Sequence, residues 1–279
     1  MSKHLCGVIE GFYGEPWTFN ERKLLFKRLS YLKMDSYLYA PKDDAKHRGK
    51  WREMYTEEEL SMLKSLIESA RENNITFIFA LSPGGDIVYS SDEQISFLKR
   101  KLDQVKSIGC KGFALLFDDI DPNLCPPDWS AFKNSATAQA TVTNLIYDYL
   151  GRPDPFIMCP TEYCSNHSFP SVAESFYLKT IGEILEKDIL LFWTGQAVIS
   201  EAISLDNLQE VSRATKRKII IWDNLHANDY DSKRLFLGPF CGRPSVLKDN
   251  DHLAGFMLNP NCEFEANYVP LHTLAQWKQ

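Results

Sequence analysis

Three aspartates stand within four positions at the end of an apolar run, residues 114–117. Asp118, Asp119 and Asp121 would repel one another as carboxylates and would lose solvation if the fold buried them. A protein keeps such a group when it faces water, holds a cation or takes part in chemistry. Each of these three situations predicts different neighbours in the sequence.

Two of the three interpretations can be weighed from the residues that follow. A solvated turn stays open, because aspartate is a common turn residue. A calcium loop starting at Asp119 is disfavoured, since Leu124 stands where such a loop needs glycine and Ser130 where it needs glutamate. The cation interpretation is therefore weaker than the other two.

The third interpretation is cleavage of a glycosidic bond. This chemistry uses one protonated carboxylic acid for the leaving oxygen and one ionised partner. Two adjacent carboxylates can supply that asymmetry, because repulsion raises the pKa of one while hydrogen bonds keep the other charged. No third carboxylate lies close by in the sequence as an obvious nucleophile. The nucleophile would then have to come from the substrate itself.

The elements that must position these residues are visible as short apolar runs. Eight of them are predicted as strands: 5–10, 36–40, 75–81, 112–117, 155–159, 189–193, 218–222 and 254–258. They are nearly continuous in apolar residues, which indicates burial on both faces in a parallel sheet covered by helices. Eight strand-then-helix units over about 250 residues predict a closed (β/α)8 TIM barrel of the α/β class, formed by one catalytic domain over residues 1–279.

Helix start and stop signals lie between the predicted strands. Three pairs have the capping-box spacing: Thr18 with Glu21, Thr56 with Glu59, and Ser91 with Gln94. Gly109 follows the third of these helices, where a C-terminal stop is expected. The chain therefore alternates between strand and helix as a barrel requires.

Barrel enzymes build their sites just after the C-terminal ends of the strands. In this sequence those positions carry polar, aromatic and glycine residues: 10–14, 41–44, 82–86, 118–119, 160–164, 194–196, 223–231 and 259–268. Sugar hydroxyls bind to Asp, Asn and Lys side chains, while the apolar faces of a sugar ring stack on Trp and Tyr. The rim therefore predicts a carbohydrate site.

Composition narrows the class of protein. The 279 residues are 44% hydrophobic and 24% charged, as in ordinary soluble domains. No apolar stretch is long enough for a membrane span and the N-terminus resembles no signal peptide, so we expect no membrane partner. Seven cysteines without CxxC spacing indicate reduced thiols and a cytoplasmic and/or nuclear location. The net charge of −6, without a basic stripe, argues against nucleic acid as a partner.

Six stretches resemble, in order and over nearly the whole chain, the catalytic domain of the protein O-GlcNAcases, family 84 of the glycoside hydrolases. They are GVIEGFYGEPW, YLYAPKDDAKHR, ALLFDDID, CPTEYC, WDNLHANDYD and NPNCEFEANY. The resemblance, closest to the eukaryotic intracellular branch, implies a retaining β-N-acetylglucosaminidase acting on O-GlcNAc-modified proteins. It implies no metal and no cofactor. It also implies that the substrate's 2-acetamido oxygen attacks the anomeric carbon to form an oxazoline, which supplies the missing nucleophile.

The resemblance also assigns expected roles, position by position. Asp118 resembles the residue that orients the acetamido N–H and supports the oxazoline, and Asp119 resembles the general acid and then the general base. Tyr163 matches a tyrosine that binds the acetamido oxygen. The positions that match the wall around the acetyl methyl group are Cys159 and Trp222. The positions that match contacts to the sugar hydroxyls or acetamido group are Gly11, Lys42, Asn224, Asp229 and Asn259. Those that match the peptide-facing rim are Val198 and Tyr230.

Simpler explanations exist for several of these residues. Gly11 would also suit a tight turn, and Lys42 would also suit an ion pair with Asp43. Cys159 and Trp222 are residue types that often lie in a plain core. Asp121 is either a supporting residue of the site or a turn former, and the sequence does not decide between them.

No histidine shows metal-ligand spacing, and we expect His47, His167 and His226 to be structural or surface residues. The longer eukaryotic members have a helical stalk that forms dimers and adds to the peptide cleft. We expect that stalk to be absent here, because the chain ends with LHTLAQWKQ. Oligomeric state and preferred protein substrates are therefore not predicted.

Two other functions compete with protein deglycosylation. The first is a β-N-acetylhexosaminidase acting on free glycans or hyaluronan-type chains, which would need an open groove with several sugar subsites. The second is an inactive barrel that only binds carbohydrate. Loss of a catalytic acid would normally mark such a barrel, whereas both Asp118 and Asp119 are present.

Overall fold

The computed structural model of the chain describes residues 4–231, 233–248 and 250–279. Eight parallel strands form a closed barrel in sequence order, with the last strand paired to the first. The strands are β1 (Leu5–Glu10), β2 (Ser36–Tyr39), β3 (Thr76–Leu81), β4 (Gly112–Leu116), β5 (Phe156–Cys159), β6 (Leu190–Trp193), β7 (Ile219–Asp223) and β8 (Leu253–Leu258). The predicted (β/α)8 TIM barrel is confirmed. The predicted domain span of 1–279 stays a prediction, and residues 1–3 of it lie outside the described residues.

Helices connect the strands and cover the outside of the barrel. Within the described residues they are α1 (Phe19–Tyr31), α2 (Glu57–Glu72), α3 (Asp92–Ser107), α4 (Pro126–Phe132), α5 (Ser135–Tyr149), α6 (Phe176–Ile184), α7 (Leu205–Thr215) and α8 (Tyr268–Lys278). Two helices, α4 and α5, follow β4. Short 3₁₀ turns lie at Ser165–His167, Ser245–Leu247 and Phe264–Asn267. None of these helices combines the length and apolarity needed to cross a bilayer.

The predicted helix starts are largely confirmed. Thr18 and Thr56 each form a full capping box with the glutamate three residues later. Ser91 caps α3 but forms only half of the predicted box, because the side-chain oxygen of Gln94 accepts a hydrogen bond from Arg52 Nε at 2.8 Å instead. A charged guanidinium is a stronger donor than a neutral backbone amide, which explains this exchange. Gly109 follows α3 at a φ of 100°, as predicted for a stop.

Strand side chains alternate between two buried clusters. One fills the barrel interior and includes Ile9, Leu116 and Met257, while the other packs between the strands and the helices. Because alternate residues of a strand face the same side, the position two residues beyond an interior side chain faces the mouth of the barrel. This alternation determines which polar residues of the rim can reach a bound molecule.

Candidate active site

A single cavity at the C-terminal ends of the strands collects the residues singled out from the sequence. Its volume is about 290 Å³. It is lined by every predicted site residue: Gly11, Lys42, Asp118, Asp119, Cys159, Tyr163, Val198, Trp222, Asn224, Asp229, Tyr230 and Asn259. Their positions agree with the predicted site, and their individual roles stay predictions.

Strand alternation explains how most of these residues reach the cavity. Asp118 lies two positions beyond Leu116, and Asn259 two positions beyond Met257, both of which face the barrel interior. Gly11 stands in the same relation to Ile9. Each therefore faces inward at the mouth, where the strand has ended and the backbone no longer needs an apolar neighbour.

The cavity contains a buried ion pair. Lys42 Nζ, which follows β2, donates to Asp118 Oδ2, and both side chains are almost fully buried. Burial opposes ionisation of Asp118, yet the adjacent Lys42 ammonium overrides it and holds the pKa of that carboxyl below its usual range. The pKa of Lys42 is raised although burial alone would lower it, because Asp118 stabilises the ammonium. The sequence suggested Asp43 as a simple partner for Lys42, and that alternative is wrong.

The second oxygen of Asp118 has no such partner. Asp118 Oδ1 is buried and accepts no hydrogen bond within the protein, although the residue lines the cavity. A buried carboxylate oxygen without a donor is costly, and native structures rarely leave one without a reason. The ionised Asp118 thus offers one free acceptor to an N–H or O–H group of a bound molecule.

Asp119 has different surroundings although it is the next residue. Its side chain is exposed, and its backbone adopts a left-handed φ of 53° three residues beyond the end of β4. Tyr163 donates its hydroxyl to Asp119 Oδ1 at 2.7 Å, and Tyr13 donates to Oδ2 at 3.0 Å. Burial, and then the hydrogen bond to Asp119, raise the pKa of Tyr163, so its hydroxyl keeps the proton that it donates. Asp119 is therefore a water-accessible carboxyl that is held at both oxygens.

Amide side chains form a network along the other wall. Asn259 Oδ1 accepts from Gly11 N at 3.3 Å, and its Nδ2 donates to Asn224 Oδ1 at 2.9 Å. Asn224 Oδ1 also accepts from Trp222 Nε1 at 2.8 Å, while its Nδ2 donates to Val198 O. These bonds fix the orientation of both amides and of the indole. They are preorganised for binding polar groups of a ligand.

Gly11 is required by close approach to this wall. A Cβ atom at Gly11 would lie 2.6 Å from Trp222 Cζ2, far inside van der Waals contact. The tight-turn explanation does not apply, because Gly11 is not among the residues with a positive φ. Any larger side chain would displace the indole from the cavity.

The apolar part of the cavity lies where it was expected. Cys159, Tyr163 and Trp222 belong to the interior cluster, and Phe192 supports Trp222 edge to face at a centroid distance of 5.2 Å. Burial raises the pKa of Cys159 well above its usual range, so this residue is a neutral thiol with the size of a small apolar group. Burial of Trp222 and Cys159 thus agrees both with core packing and with an apolar wall.

The outer rim is more open. Tyr230 is 57% exposed and Val198 39% exposed, while Asp229 Oδ2 accepts a hydrogen bond from Tyr13 N at 2.9 Å. Asp121 lies outside the cavity and accepts from both the backbone and side-chain nitrogens of Asn123, which makes it a turn former.

Sequence reasoning missed several residues of this site. Tyr13, Thr194, Ile199 and Ala227 also line the cavity. Thr194 could have been found by alternation, since it lies two residues beyond the interior Phe192. Tyr13 lies in a loop, where no periodic signal exists, and only its aromatic type within 10–14 pointed to it.

Metal-ligating side chains are not grouped in the described part of the chain, where no three His, Cys, Asp or Glu residues could share an ion. The histidines have structural contacts. His47 Nδ1 lies 2.8 Å from Ala80 O and His226 Nε2 3.0 Å from Gly238 O, while the His167 ring packs on Tyr163. That hydrolysis needs no metal stays a prediction.

Comparison with known proteins places this cavity in a known context. A family model described as beta-N-acetylglucosaminidase matches residues 6–279. The "Protein O-GlcNAcase" of Rattus norvegicus is 56% identical over 275 residues, and that of Mus musculus 55% identical over 275 residues. Both matches cover 99% of this chain and 30% of the relative, so the chain spans about 30% of the length of these curated relatives.

A solved structure agrees over the whole chain. A mutant of the Thermobaculum terrenum O-GlcNAc hydrolase superposes with a TM-score of 0.92 at 36% sequence identity. The superposition covers 100% of this chain and 60% of that one. The barrel fold is thus shared with a protein that is named as a hydrolase of O-GlcNAc.

Proposed function

The chain belongs to the beta-N-acetylglucosaminidase family, and from that premise we propose that it is a glycosidase that removes O-linked N-acetylglucosamine from Ser and Thr residues of proteins. The names of the rat and mouse relatives and of the Thermobaculum hydrolase support this substrate. The observation that carries the proposal is the free, buried Oδ1 of Asp118 beside the exposed carboxyl of Asp119. An acetamido sugar offers the N–H that the first needs and the leaving oxygen that the second can protonate.

The first chemical step would form an oxazoline. The acetamido oxygen attacks the anomeric carbon while the bond from that carbon to the Ser or Thr oxygen breaks. Asp118 accepts the acetamido N–H through Oδ1 and stabilises the positive charge that develops on the N-acetyl group. Asp119 transfers its proton to the departing oxygen, so that the protein leaves as a neutral alcohol.

The second step would reverse the role of Asp119. As a carboxylate it removes a proton from water, and the water oxygen attacks the anomeric carbon and opens the oxazoline. The acetamido group and the free sugar are restored, with overall retention of configuration. Exposure of Asp119 supports this step, since water can reach it without any rearrangement of the barrel.

The environment of Asp118 supports its proposed role. The lowered pKa keeps it ionised at neutral pH, so it can stabilise a cationic N-acetyl group. Lys42 occupies the other oxygen and leaves only Oδ1 for the substrate. The same charge could not act as a proton donor, which supports Asp119 as the acid.

Cavity size favours a single sugar over a chain of sugars. A volume of about 290 Å³ is at the small end of the range for ligand pockets. Several subsites, as needed for free glycans, would require a longer groove. The apolar rim at Tyr230 and Val198 supports a peptide beyond the sugar.

The decisive experiment compares two substrates with the same enzyme. We expect faster hydrolysis, as kcat/KM, of an O-GlcNAc-modified protein than of a chito-oligosaccharide. The Asp118→Asn variant, prepared in parallel, measures any contaminating hydrolase. Preference for the oligosaccharide would contradict the proposal and favour a hexosaminidase of free glycans.

We further propose that the protein works in the cytoplasm or nucleus and needs no metal. All seven cysteines are free thiols, which supports a reducing compartment. Activity should survive EDTA unchanged, and cell fractionation should find the protein in cytosolic or nuclear extracts. Recovery in a secreted fraction, or loss of activity that a divalent ion restores, would contradict these two proposals respectively.

A further inference from the structure

Arg48 lies in the loop between β2 and α2, next to two residues that line the cavity, Tyr13 and Asp119. Its Nη1 donates to the hydroxyl of Tyr13 at 2.5 Å, and its Nη2 lies 3.4 Å from the backbone carbonyl oxygen of Asp119. The guanidinium also covers the Tyr13 ring at 5.5 Å from its centroid. Arg48 is thus connected to Asp119 by two routes, one through a side chain and one through the backbone.

These contacts determine the direction of a hydrogen bond. A guanidinium is a donor only, so the Tyr13 oxygen must accept from Arg48. The single hydroxyl proton of Tyr13 is then free to point at Asp119 Oδ2, 3.0 Å away. Without Arg48, the hydroxyl could rotate toward water, because Tyr13 is 44% exposed. Arg48 therefore orders the group that holds Asp119.

The backbone route has a second effect. Asp119 adopts the left-handed φ of 53°, a conformation that is unfavourable for a non-glycine residue unless its surroundings hold it. A donor at the Asp119 carbonyl stabilises this conformation, and with it the direction in which the carboxyl leaves the chain. The same side chain thus acts on both the backbone and the carboxyl of one residue.

We propose that Arg48 is a positioning residue for proton transfer by Asp119, acting through Tyr13 and through the Asp119 carbonyl. The inference deepens the proposed function and rests on it, because Asp119 must be the acid. Proton transfer depends strongly on geometry, and a displacement of about 1 Å can cost on the order of 10²-fold in rate. Loss of Arg48 should therefore matter only when the leaving group needs a proton.

The test uses Arg48→Gln with two substrates that share the sugar. For an O-GlcNAc-serine peptide we expect kcat/KM to fall about tenfold, whereas an aryl glycoside with a good leaving group should change less than about twofold. Arg48→Lys keeps the charge but cannot reach both acceptors at once, so kcat/KM on the peptide should stay reduced in this variant as well. Lys50→Gln is the matched control, because it removes an exposed cation from the same loop, where Lys50 pairs with exposed Glu53 at 3.6 Å.

Three results would overturn the proposal. Equal slowing of both substrates would indicate a binding or folding role, and no change in either would indicate no role. The double variant Arg48→Gln with Tyr13→Phe gives the third result. If its fold reduction in kcat/KM equals the product of the reductions in the two single variants, Arg48 does not act through Tyr13. Failure of the proposed function is distinguishable, since the wild-type protein would then not hydrolyse the O-GlcNAc-serine peptide, whether or not it cleaves the aryl glycoside.

Discussion

Carboxylates at the ends of β1 and β7 differ from those that follow β4. Glu10 and Asp223 are fully buried and face the helices, each with a bidentate arginine, Arg22 and Arg243 respectively. Glu10 also accepts from Trp17 N and Tyr37, and Asp223 from Leu225 N. Every oxygen of these two groups has a partner.

The two aspartates that follow β4 have fewer protein partners or more contact with water. Asp118 has a buried oxygen with no donor, and Asp119 is open to water. Carboxylate side chains therefore serve two purposes in this barrel. The two are distinguished by whether protein groups donate hydrogen bonds to every carboxylate oxygen. A buried carboxylate with all its partners anchors a loop, whereas one with a free oxygen is available to a ligand.

The strongest test of this comparison is Asp119→Asn. If Asp119 protonates the leaving oxygen, kcat/KM on an O-GlcNAc-serine peptide should fall on the order of 10²–10⁴-fold. Oxazoline formation from an aryl glycoside, whose phenolate leaves unaided, should be largely spared. Steady-state kinetics with both substrates measures this difference. Equal loss on both would assign Asp119 to binding instead of proton transfer.

Among the fully hydrogen-bonded carboxylates, Glu10 can be tested with Arg22→Met, which should reduce stability. Removing the arginine leaves Glu10 buried without its cation, which typically costs about 3–5 kcal/mol in the free energy of unfolding. Urea denaturation followed by circular dichroism measures this. Arg28→Met on the same helix is the matched control, since Arg28 pairs with an exposed Glu265 and should cost less than about 1 kcal/mol. Similar losses in both variants would contradict the distinction between buried and exposed pairs.

Asp118→Asn should slow catalysis without regard to the leaving group. Loss of one preorganised electrostatic contact in a transition state costs on the order of 10²–10³-fold, so both the serine peptide and the aryl glycoside should slow by this factor. Thermal unfolding must accompany the kinetics, because the buried ammonium of Lys42 loses its charged partner in this variant. Rescue by a good leaving group would require the roles of Asp118 and Asp119 to be exchanged.

Much of this arrangement could be predicted from the sequence, for a physical reason. Nearly continuous apolar runs and helix caps follow from local chemistry, so the barrel and the strand ends were predictable to within about one residue. Alternation along each strand separates the inward Asp118 from the outward Glu10 and Asp223, and would also have identified Thr194.

What could not be predicted depends on contacts between distant loops. Asp118 was expected to keep its charge through hydrogen bonds while a neighbouring carboxylate repelled it, but Lys42 supplies the charge that dominates. That ion pair joins residues 76 positions apart in the chain. The contacts of Tyr13 and Arg48 with Asp119 likewise form between loops, where no period constrains the side chains.

His47 is a buried, neutral group with one nitrogen that has no hydrogen-bond partner, and its effect on stability can be tested. It is fully buried with no partner at Nε2, and burial, followed by the nearby Lys42, lowers its pKa to about 4. The unfolded chain, with an ordinary pKa of about 6.5, takes up a proton at higher pH than the folded protein. The neutral form of His47 therefore stabilises the folded protein fully above about pH 6.5, and this stabilisation is lost as the pH falls toward 4. The free energy of unfolding should drop from this cause by on the order of 2 kcal/mol between pH 7 and pH 5.

Denaturation at both pH values in wild type and His47→Gln measures that contribution. The variant should lose less stability on acidification than wild type by about that amount. His252→Gln serves as the control, because that histidine is only partly buried. An unchanged difference between the two pH values in His47→Gln would show that other groups account for the acid sensitivity.

The smallest expected effect concerns the space opposite the free oxygen of Asp118. If Asp118 Oδ1 accepts the acetamido N–H, the acetyl methyl must point toward the wall formed by Cys159 and Trp222, which Phe192 backs. Larger N-acyl groups would overpack this wall, at a cost of roughly 1–3 kcal/mol, so kcat/KM for aryl glycosides should fall stepwise from N-acetyl to N-propionyl to N-butyryl.

Cys159→Ala is the matched variant for the same experiment, since it enlarges the space for the acyl group and changes neither aspartate. It should weaken the discrimination against the larger acyl groups while leaving the dependence on the leaving group unchanged. Indifference of the wild-type enzyme to acyl size would remove Cys159 and Trp222 from the acetyl pocket. Because the free oxygen of Asp118 and this wall are proposed to bind one and the same acetamido group, that result would also count against the role of Asp118, whereas the assignment of Asp119 would stand on its own kinetics.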